Sequence, residues 1–360
     1  MNAIPSDFPA PFERSAITHV PFGCVTERDE VYLHVGAGID ERTGRQMRVL
    51  VTGAAGFIGS HVVDQLAAHG VTPRIFDQRR SAYHTDVEHQ IGSLLDLESL
   101  RIAMSGVDAV IHLAAVADVK DVYEDPIYAE NVNTRGTAYV LEAARRAKVK
   151  RVVYGSTTWV YSDCAEQHVN EDTLIPSPRH LYTATKLCGE SYCQAYAHLY
   201  GLDYTILRYG IPYGPRSREG AVVPIFVKKA LAGEPLTIAG DGKQFRKFVY
   251  VEDLALANVL ALKPVARNRI YNLDGAQQVS ILEIAETIQS LVEGVTIQHV
   301  EGRPGDFGGK DVSSARAKSE LGWEPSVPFK EGVRRYIEWY RGLQSQGREQ
   351  WEHVNPALLA

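Results

Sequence analysis

Cysteine is scarce in this chain of 360 residues: four occur, Cys24, Cys164, Cys188 and Cys193. They form no C-x-x-C pair and have no histidine at zinc spacing, which excludes a zinc ribbon and a disulfide framework and leaves reduced thiols. No run is apolar for long enough to cross a bilayer, and the N-terminus lacks a basic stretch leading into an apolar one, so neither a membrane nor a secretory signal is expected and the protein reads as cytoplasmic. Positive charge is not in excess either. With 38 Lys and Arg against 44 Asp and Glu the formal net charge is -6, and the basic face that nucleic acid requires is missing. The one basic cluster, Arg145, Arg146, Lys148, Lys150 and Arg151, falls where a helix ends, and compensation of the helix dipole on a solvated face explains it.

What is present is ordinary globular material. Apolar residues make up 45% and charged residues 23% of the chain, enough for one two-lobed unit or two modest domains with a substantial core. Residues 1–46 differ from the rest: they carry four prolines, show no sustained period and end in the polar stretch Asp40 to Gln46. A mobile arm, an ordered cap and a start codon placed ahead of Met47 are the three readings. From Met47 onward, short β-rich runs (Arg48 to Thr52, Thr72 to Phe76, Ala109 to Leu113, Arg151 to Tyr154, Tyr204 to Arg208) alternate with helical stretches (Ser60 to Ala68, Asn133 to Ala147, Thr183 to Tyr200). Strands that alternate with helices need crossover connections, which makes the sheet parallel and covers both its faces. A ligand then belongs at the carboxyl ends of the strands, near the switch point. After about Arg208 the alternation weakens, as suits a smaller lobe closing over a cleft.

The run Val49-Leu50-Val51-Thr52-Gly53-Ala54-Ala55-Gly56-Phe57-Ile58-Gly59-Ser60-His61 is an apolar strand, a tight turn and a helix start. Glycine is needed where the chain turns sharply, where backbone approaches a pyrophosphate, and where helix packs closely on strand. Spacing alone, G-x-x-G-x-x-G, is weak evidence. Its context, between a strand and a helix and ahead of a second strand ending in Asp77, turns it into a dinucleotide turn of Rossmann type. The Asp77 carboxylate stands where an adenosine ribose is recognised and would repel a 2'-phosphate, which favours NAD over NADP. Arg79 and Arg80, which follow directly, are either 2'-phosphate ligands or loop residues in water.

Tyr182 and Lys186 lie four residues apart, on one face of a helix. A phenol with a pKa near 10 is a poor base, and a nearby ammonium is expected to lower it and make Tyr182 a general base. Two amphipathic surface residues are the bland alternative. Upstream, the strand beginning at Arg151 ends in the hydroxyls of Ser156, Thr157 and Thr158, at the edge of the sheet where chemistry is located.

Taken together these motifs resemble the extended short-chain dehydrogenase/reductase family, in its nucleotide-sugar epimerase and dehydratase branch. The resemblance runs from Met47 to about Tyr340. It rests on Thr52 to Gly59, His112-Leu113-Ala114-Ala115, Asn133 with Gly136-Thr137, Tyr182 with Lys186, Arg208-Tyr209 leading to Tyr213-Gly214-Pro215-Arg216, Gly240-Asp241-Gly242 with Arg246, and Arg303-Pro304-Gly305-Asp306.

The resemblance implies an α/β fold, a doubly wound parallel sheet with a smaller C-terminal α/β substrate lobe. It implies an extension of unknown role over 1–46, an NAD-binding domain over 47–208 with a return of the chain near 247–275, a nucleotide-sugar lobe over 209–246 and 276–345, and a tail over 346–360. NAD would be held by Gly53, Gly56, Phe57, Ile58, Gly59, Asp77, Leu113, Ala114, Ala115, Asn133, Tyr182 and Lys186. Catalysis would fall to Thr157, Tyr182 and Lys186. The substrate, a nucleotide-diphosphate sugar, would meet Thr157, Thr158, Tyr209, Arg216, Arg246 and Arg303, with the forked donors of Arg246 and Arg303 gripping its diphosphate. Relatives commonly form homodimers through two helices per subunit, here Asn133 to Ala147 and Thr183 to Tyr200.

Three departures narrow the reaction. The family's dehydratases place an Asp-Glu pair just after the hydroxyl residue and its decarboxylases usually keep the Glu, where this chain has Thr158 and Trp159. Ile211 stands where many relatives have an asparagine, and Ser162 where they have glycine. The expectation is an NAD-dependent 4-epimerase working through a transient 4-keto sugar. Dehydration, decarboxylation and reduction stay open as alternatives within the family, and an NAD-binding sensor or scaffold outside catalysis.

Overall fold

The computed structural model describes residues 39–40, 44–301 and 309–345. Most of the extension over 1–46, the tail over 346–360 and the Arg303-Pro304-Gly305-Asp306 motif lie outside the described residues.

The expected alternation folds as β1 (Arg48–Thr52), α1 (Phe57–Ala68), β2 (Thr72–Asp77), β3 (Glu88–Ile91), α2 (Leu97–Ala103), β4 (Ala109–His112), α3 (Gly136–Arg146), β5 (Arg151–Thr157), α4 (Leu181–Tyr200) and β6 (Asp203–Tyr209). The chain then builds β7 (Ile211–Tyr213), α5 (Val222–Leu231), β8 (Leu236–Ala239) and β9 (Phe245–Tyr250), and returns through α6 (Val251–Leu260) to β10 (Arg269–Leu273). Last come β11 (Gln278–Ser280), α7 (Ile281–Gln289), β12 (Ile297–Val300) and α8 (Phe329–Ser345). The central sheet has seven strands in the order β10-β6-β5-β4-β1-β2-β3, and every pair is parallel. The order reverses between β1 and β4, which opens a crevice at their carboxyl ends.

Apolar continuity on both faces dictates this placement. Val49 and Val51 of β1 enter a cluster with Val62, Val63 and Leu66 of α1 and with Leu254 and Ala255 of α6, while Leu50 enters one on the opposite face with Val140 and Leu141 of α3. Each such side chain, fully removed from water, contributes about 2 kcal/mol. A third cluster gives the C-terminal lobe its own core, from Val223 and Phe226 of α5, Ile284 and Ile288 of α7, and Val333 and Tyr336 of α8. Around it β7 pairs with β9 and β9 with β11, while β8 pairs with β12.

Two details differ from the expectations. The helix placed over Asn133 to Ala147 is divided, with a π-helical turn Asn131–Arg135 preceding α3. Arg151 does not belong to the solvated basic cluster: it is buried at the start of β5, and its guanidinium donates to the carbonyls of Ala261 and Lys263. Arg145 and Arg146 do close α3, where both pair with Glu142.

Candidate active site

The glycine turn joins β1 to α1 at the crevice. Gly53 sits at φ +72°, and a Cβ there would lie 2.7 Å from the Ala114 nitrogen; a Cβ on Gly59 would lie 2.2 Å from the Gly53 carbonyl oxygen. Both positions therefore demand glycine, so that the turn can lie directly against the Leu113-Ala114 backbone and α1 against the end of β1. Gly56 caps α1 in extended conformation with no side-chain cap, and the first turn, Phe57 to Gly59, holds no acidic residue, so its amide donors stay available to an anion. At the end of β2, Asp77 accepts from the Ala55 amide at 3.0 Å and from the Arg79 amide at 3.3 Å, which pins the carboxylate beside the turn. Arg79 and Arg80 point into solvent.

A buried polar chain shapes the floor between β1 and β4. The Thr137 hydroxyl donates to the Asn133 carbonyl at 2.6 Å, so His112 Nε2, 3.0 Å away, is the donor to Thr137. His112 Nδ1 must then accept from Thr52 Oγ1 at 2.7 Å, and Thr52 in turn accepts from the amides of Leu113 and Ala114. Burial, with the Lys186 charge adding to it, pushes His112 down to about 3 and keeps it neutral. Asn133 clasps the next stretch, accepting from the Val116 amide at 2.8 Å and donating to its carbonyl at 2.9 Å. Leu113, Ala114 and Ala115 thereby form a fixed wall facing the turn. His112 and Thr52 belonged to quoted motifs without a role; their role is this wall.

Lys186 and Tyr182 stand across the floor on α4. The Lys186 ammonium, fully buried, donates to the Gly155 carbonyl at 2.8 Å, and a Cβ on Gly155 would lie 2.8 Å from the Leu113 side chain. Lys186, Leu113 and Gly53 are thus successive neighbours along the crevice. Expectation and structure part on the phenol. The ammonium lies 6.0 Å from the Tyr182 ring centre, held by Gly155, and burial pushes the Tyr182 hydroxyl up to about 12 against the opposing charge of Arg218. Lys186 is pushed down to about 8, again by burial, with Glu190 opposing.

Behind it, Glu190 of α4 accepts from Ser156 Oγ and takes a bidentate grip from Arg208, at 2.9 and 2.7 Å; Arg208 also donates to Tyr161, and Tyr161 to Asn272. This buried network ties α4 to the ends of β5, β6 and β10. Glu190 was not singled out, although it follows Lys186 by four residues on the same face, a spacing that could have revealed it.

Thr157 ends β5 and caps the 3-10 turn Thr158–Tyr161, accepting from the Trp159 amide at 3.2 Å. Beyond it opens a cavity of about 380 Å³ lined by Val119, Thr158, Trp159, Ser162, His180, Ile211, Arg246, Lys247, Asp274 and Lys310. The indole of Trp159 meets His180 edge to face at 6.1 Å. Thr158 and Arg246, two expected substrate contacts, are here. Two others are not. Tyr209 is a core residue whose hydroxyl donates to Asn258 at 2.7 Å, because β6 turns that face toward α6. Arg216 pairs with Asp64 of α1 at 2.7 Å and lies 4.3 Å over the Tyr83 ring, on the Asp77 side of the turn. Among the described residues no cluster of three or more His, Cys, Asp or Glu could hold a metal, and no helix is long and apolar enough to cross a membrane.

The model of the NAD dependent epimerase/dehydratase family matches residues 49–274. The UDP-glucose 4-epimerase of Mycolicibacterium smegmatis is 33% identical over 310 residues, 82% of this chain and 99% of its own length. The UDP-N-acetyl-alpha-D-glucosaminuronate decarboxylase of Bacillus cytotoxicus is 33% identical over 319 residues, 83% of this chain and 99% of its own. Among solved structures, the UDP-glucose 4-epimerase of Thermus thermophilus in complex with NAD is 35% identical, with a TM-score of 0.74 over 82% of this chain and 99% of that one. The chain belongs to the NAD dependent epimerase/dehydratase family.

Proposed function

From that membership we propose that the chain is a 4-epimerase of a UDP-sugar, inverting the C4 configuration through a transient 4-keto sugar. The observation that carries the reading is the placement of Lys186 and Tyr182 on one helix face, with the Lys186 ammonium held by Gly155 of β5 beside Leu113 of the wall. Gly53, Gly56, Phe57, Ile58 and Gly59 would receive the cofactor's pyrophosphate, Asp77 its adenosine ribose, and Leu113 to Ala115, Asn133 and Lys186 its nicotinamide half. NAD, when bound, supplies the two-electron acceptor and donor together with a positive ring charge. Tyr182 removes the proton from the sugar's C4 hydroxyl and later returns it, while Thr157 shares that hydroxyl's hydrogen bond and Lys186 orients both. Arg246, with Arg303 from outside the described residues, anchors the diphosphate while the keto sugar turns over.

Thr158 and Trp159 support epimerisation over elimination. Neither side chain is an acid, and among the described residues the cavity they line holds one carboxyl, Asp274, and no carboxylate pair to remove water across C5 and C6. Tyr182→Phe should abolish turnover while NAD still binds; full activity in that variant would remove Tyr182 from the reaction. Incubating the protein with UDP-glucose, UDP-glucuronate and UDP-N-acetylglucosamine and following products by NMR tests the reaction itself. A homodimer is part of the same reading. The exposed Leu199 and Tyr200 on α4, with Tyr123, Ile127 and Tyr128 just before α3, would meet their copies. Light scattering after size exclusion should return twice the chain mass.

A further inference from the structure

Asp274, the residue just after β10, is not used by the mechanism above. The residue is 6% exposed and sits at the carboxyl edge of the sheet, lining the cavity that also holds Thr158, Trp159 and Arg246. It lines a second cavity of about 470 Å³ on its other side. The fold makes room for this carboxyl deliberately. A Cβ on Gly210, the link between β6 and β7, would lie 2.3 Å from Asp274 Oδ1, so only glycine admits the side chain there.

A buried carboxylate normally gathers several donors or a cation. Asp274 has one donor, the Gly275 amide at 3.0 Å, and among the described residues no ammonium or guanidinium pairs with it. Lys247, reaching from β9, is engaged by Asp311 and the Val312 carbonyl. The other charged or titratable groups around it are Arg246, Lys310 and His180 on the cavity side, and Asp311, His168, Lys318 and Glu324 on the other. Arg246, Lys247 and Lys310 put positive charge on the wall of one cavity, which suits an anion. An ionised Asp274 would oppose that anion.

We propose that Asp274 is a substrate-recognition residue: as the neutral acid, its carboxyl O–H donates a hydrogen bond to an anionic oxygen of the nucleotide sugar that Arg246 also faces. This rests on the UDP-sugar reading of the same site. The electrostatics agree with the geometry. Burial pushes the carboxyl up to about 7, with the Gly275 amide and the Lys247 charge opposing and Asp311 reinforcing. Below that pH the group is a donor. Above it the donor is lost and a negative charge stands beside the diphosphate, so capture of substrate takes up a proton and weakens about tenfold per pH unit.

The test is the affinity of the NAD-loaded protein for UDP-glucose and UDP-glucuronate, measured by calorimetry between pH 6 and 8.5. The diphosphate of these probes does not titrate in that range. The dissociation constant should be level at low pH and rise above about pH 7, and Asp274→Asn should make it level throughout. With the unaltered protein at pH 8, buffers of different ionisation enthalpy should reveal uptake of about one proton on binding, a readout that needs no variant. Parallel profiles in the unaltered and Asn proteins, or no proton uptake, would overturn the assignment. The two readings fail separately. pH-linked binding without C4 inversion would sink the epimerase and keep Asp274, whereas C4 inversion with an unlinked profile would do the reverse. No binding of either probe at any pH overturns both.

Discussion

At the scale of single residues the decisive fact is where the Lys186 ammonium ends. Helical spacing puts it on the face of Tyr182, but α4 lies close enough to β5 for its reach to finish on the Gly155 carbonyl, and burial then governs both groups. Desolvation disfavours whichever form is charged, which raises the phenol and lowers the ammonium. The cofactor-free protein should therefore show one phenol, missing from Tyr182→Phe, that ionises near 12 in an ultraviolet difference titration. Saturation with NAD should move that midpoint downward. A midpoint indifferent to NAD would leave Tyr182 without the means to act as a base at neutral pH. Lys186→Met should lower turnover by about 10²–10⁴-fold, the usual size of a general-base contribution, while the protein still binds NAD.

Among elements, the segment Gly214 to Arg218 stands out because it touches both sides of the crevice. The Pro215 carbonyl accepts from His61 Nε2 of α1 at 2.9 Å, and Arg216, in left-handed conformation at φ +66°, pairs with an Asp64 that also holds His84 at 2.7 Å. Arg218 pairs with Asp118, beyond the wall formed by Leu113 to Ala115. Exposed ion pairs contribute less than about 1 kcal/mol to folding, so Arg218→Ala should leave thermal stability nearly unchanged. It should speed NAD release several-fold in a stopped-flow displacement experiment; an unaltered rate would mean that the segment does not restrain the dinucleotide. The buried pair Arg208–Glu190 is a different case. Glu190→Gln leaves a buried guanidinium uncompensated and should cost about 3–5 kcal/mol, read as a lower denaturation midpoint.

These elements also show what the chain's pattern could and could not convey. Five of the seven central strands were legible, because a sheet covered on both faces must be written as continuous apolar runs, whereas β3, half exposed at the sheet's edge, and β10 carry no such run. The glycine turn was legible because its geometry demands glycine, and the shared helix face of Tyr182 and Lys186 because their spacing dictates it. Tyr209 and Arg216 lie away from the cavity that Thr158 and Arg246 line for a common reason: which way a strand or turn faces is fixed by packing against elements distant in the chain, here by Asn258 of α6 and Asp64 of α1, and not by local spacing. Asp274 carried no signal at all, since its character comes from burial among residues distant in the chain.

For the whole molecule, acid should be the weak side. His61 is pushed down to about 4, by burial first and by Arg216 next, and His112 to about 3. Both groups bind a proton near pH 6.5 when unfolded and resist it when folded. Their contribution is complete above about pH 6.5 and is lost as pH falls toward 4, at roughly 1.4 kcal/mol per pH unit for each group. The melting temperature should fall steeply across that window, and His61→Asn should flatten part of the slope. Asp274 acts with the opposite sign, its raised value weakening the fold as pH climbs from about 4 to about 7, so Asp274→Asn should stabilise the protein at pH 8.

The reaction itself is tested most directly by running the NAD-loaded protein with a UDP-hexose in deuterium oxide and reading C4 and C5 by NMR. The account predicts inversion at C4 with protium kept at both carbons, because the hydrogen leaves and returns without meeting solvent. Deuterium at C5, or a product that has lost water and carries a ketone at C4, would contradict it.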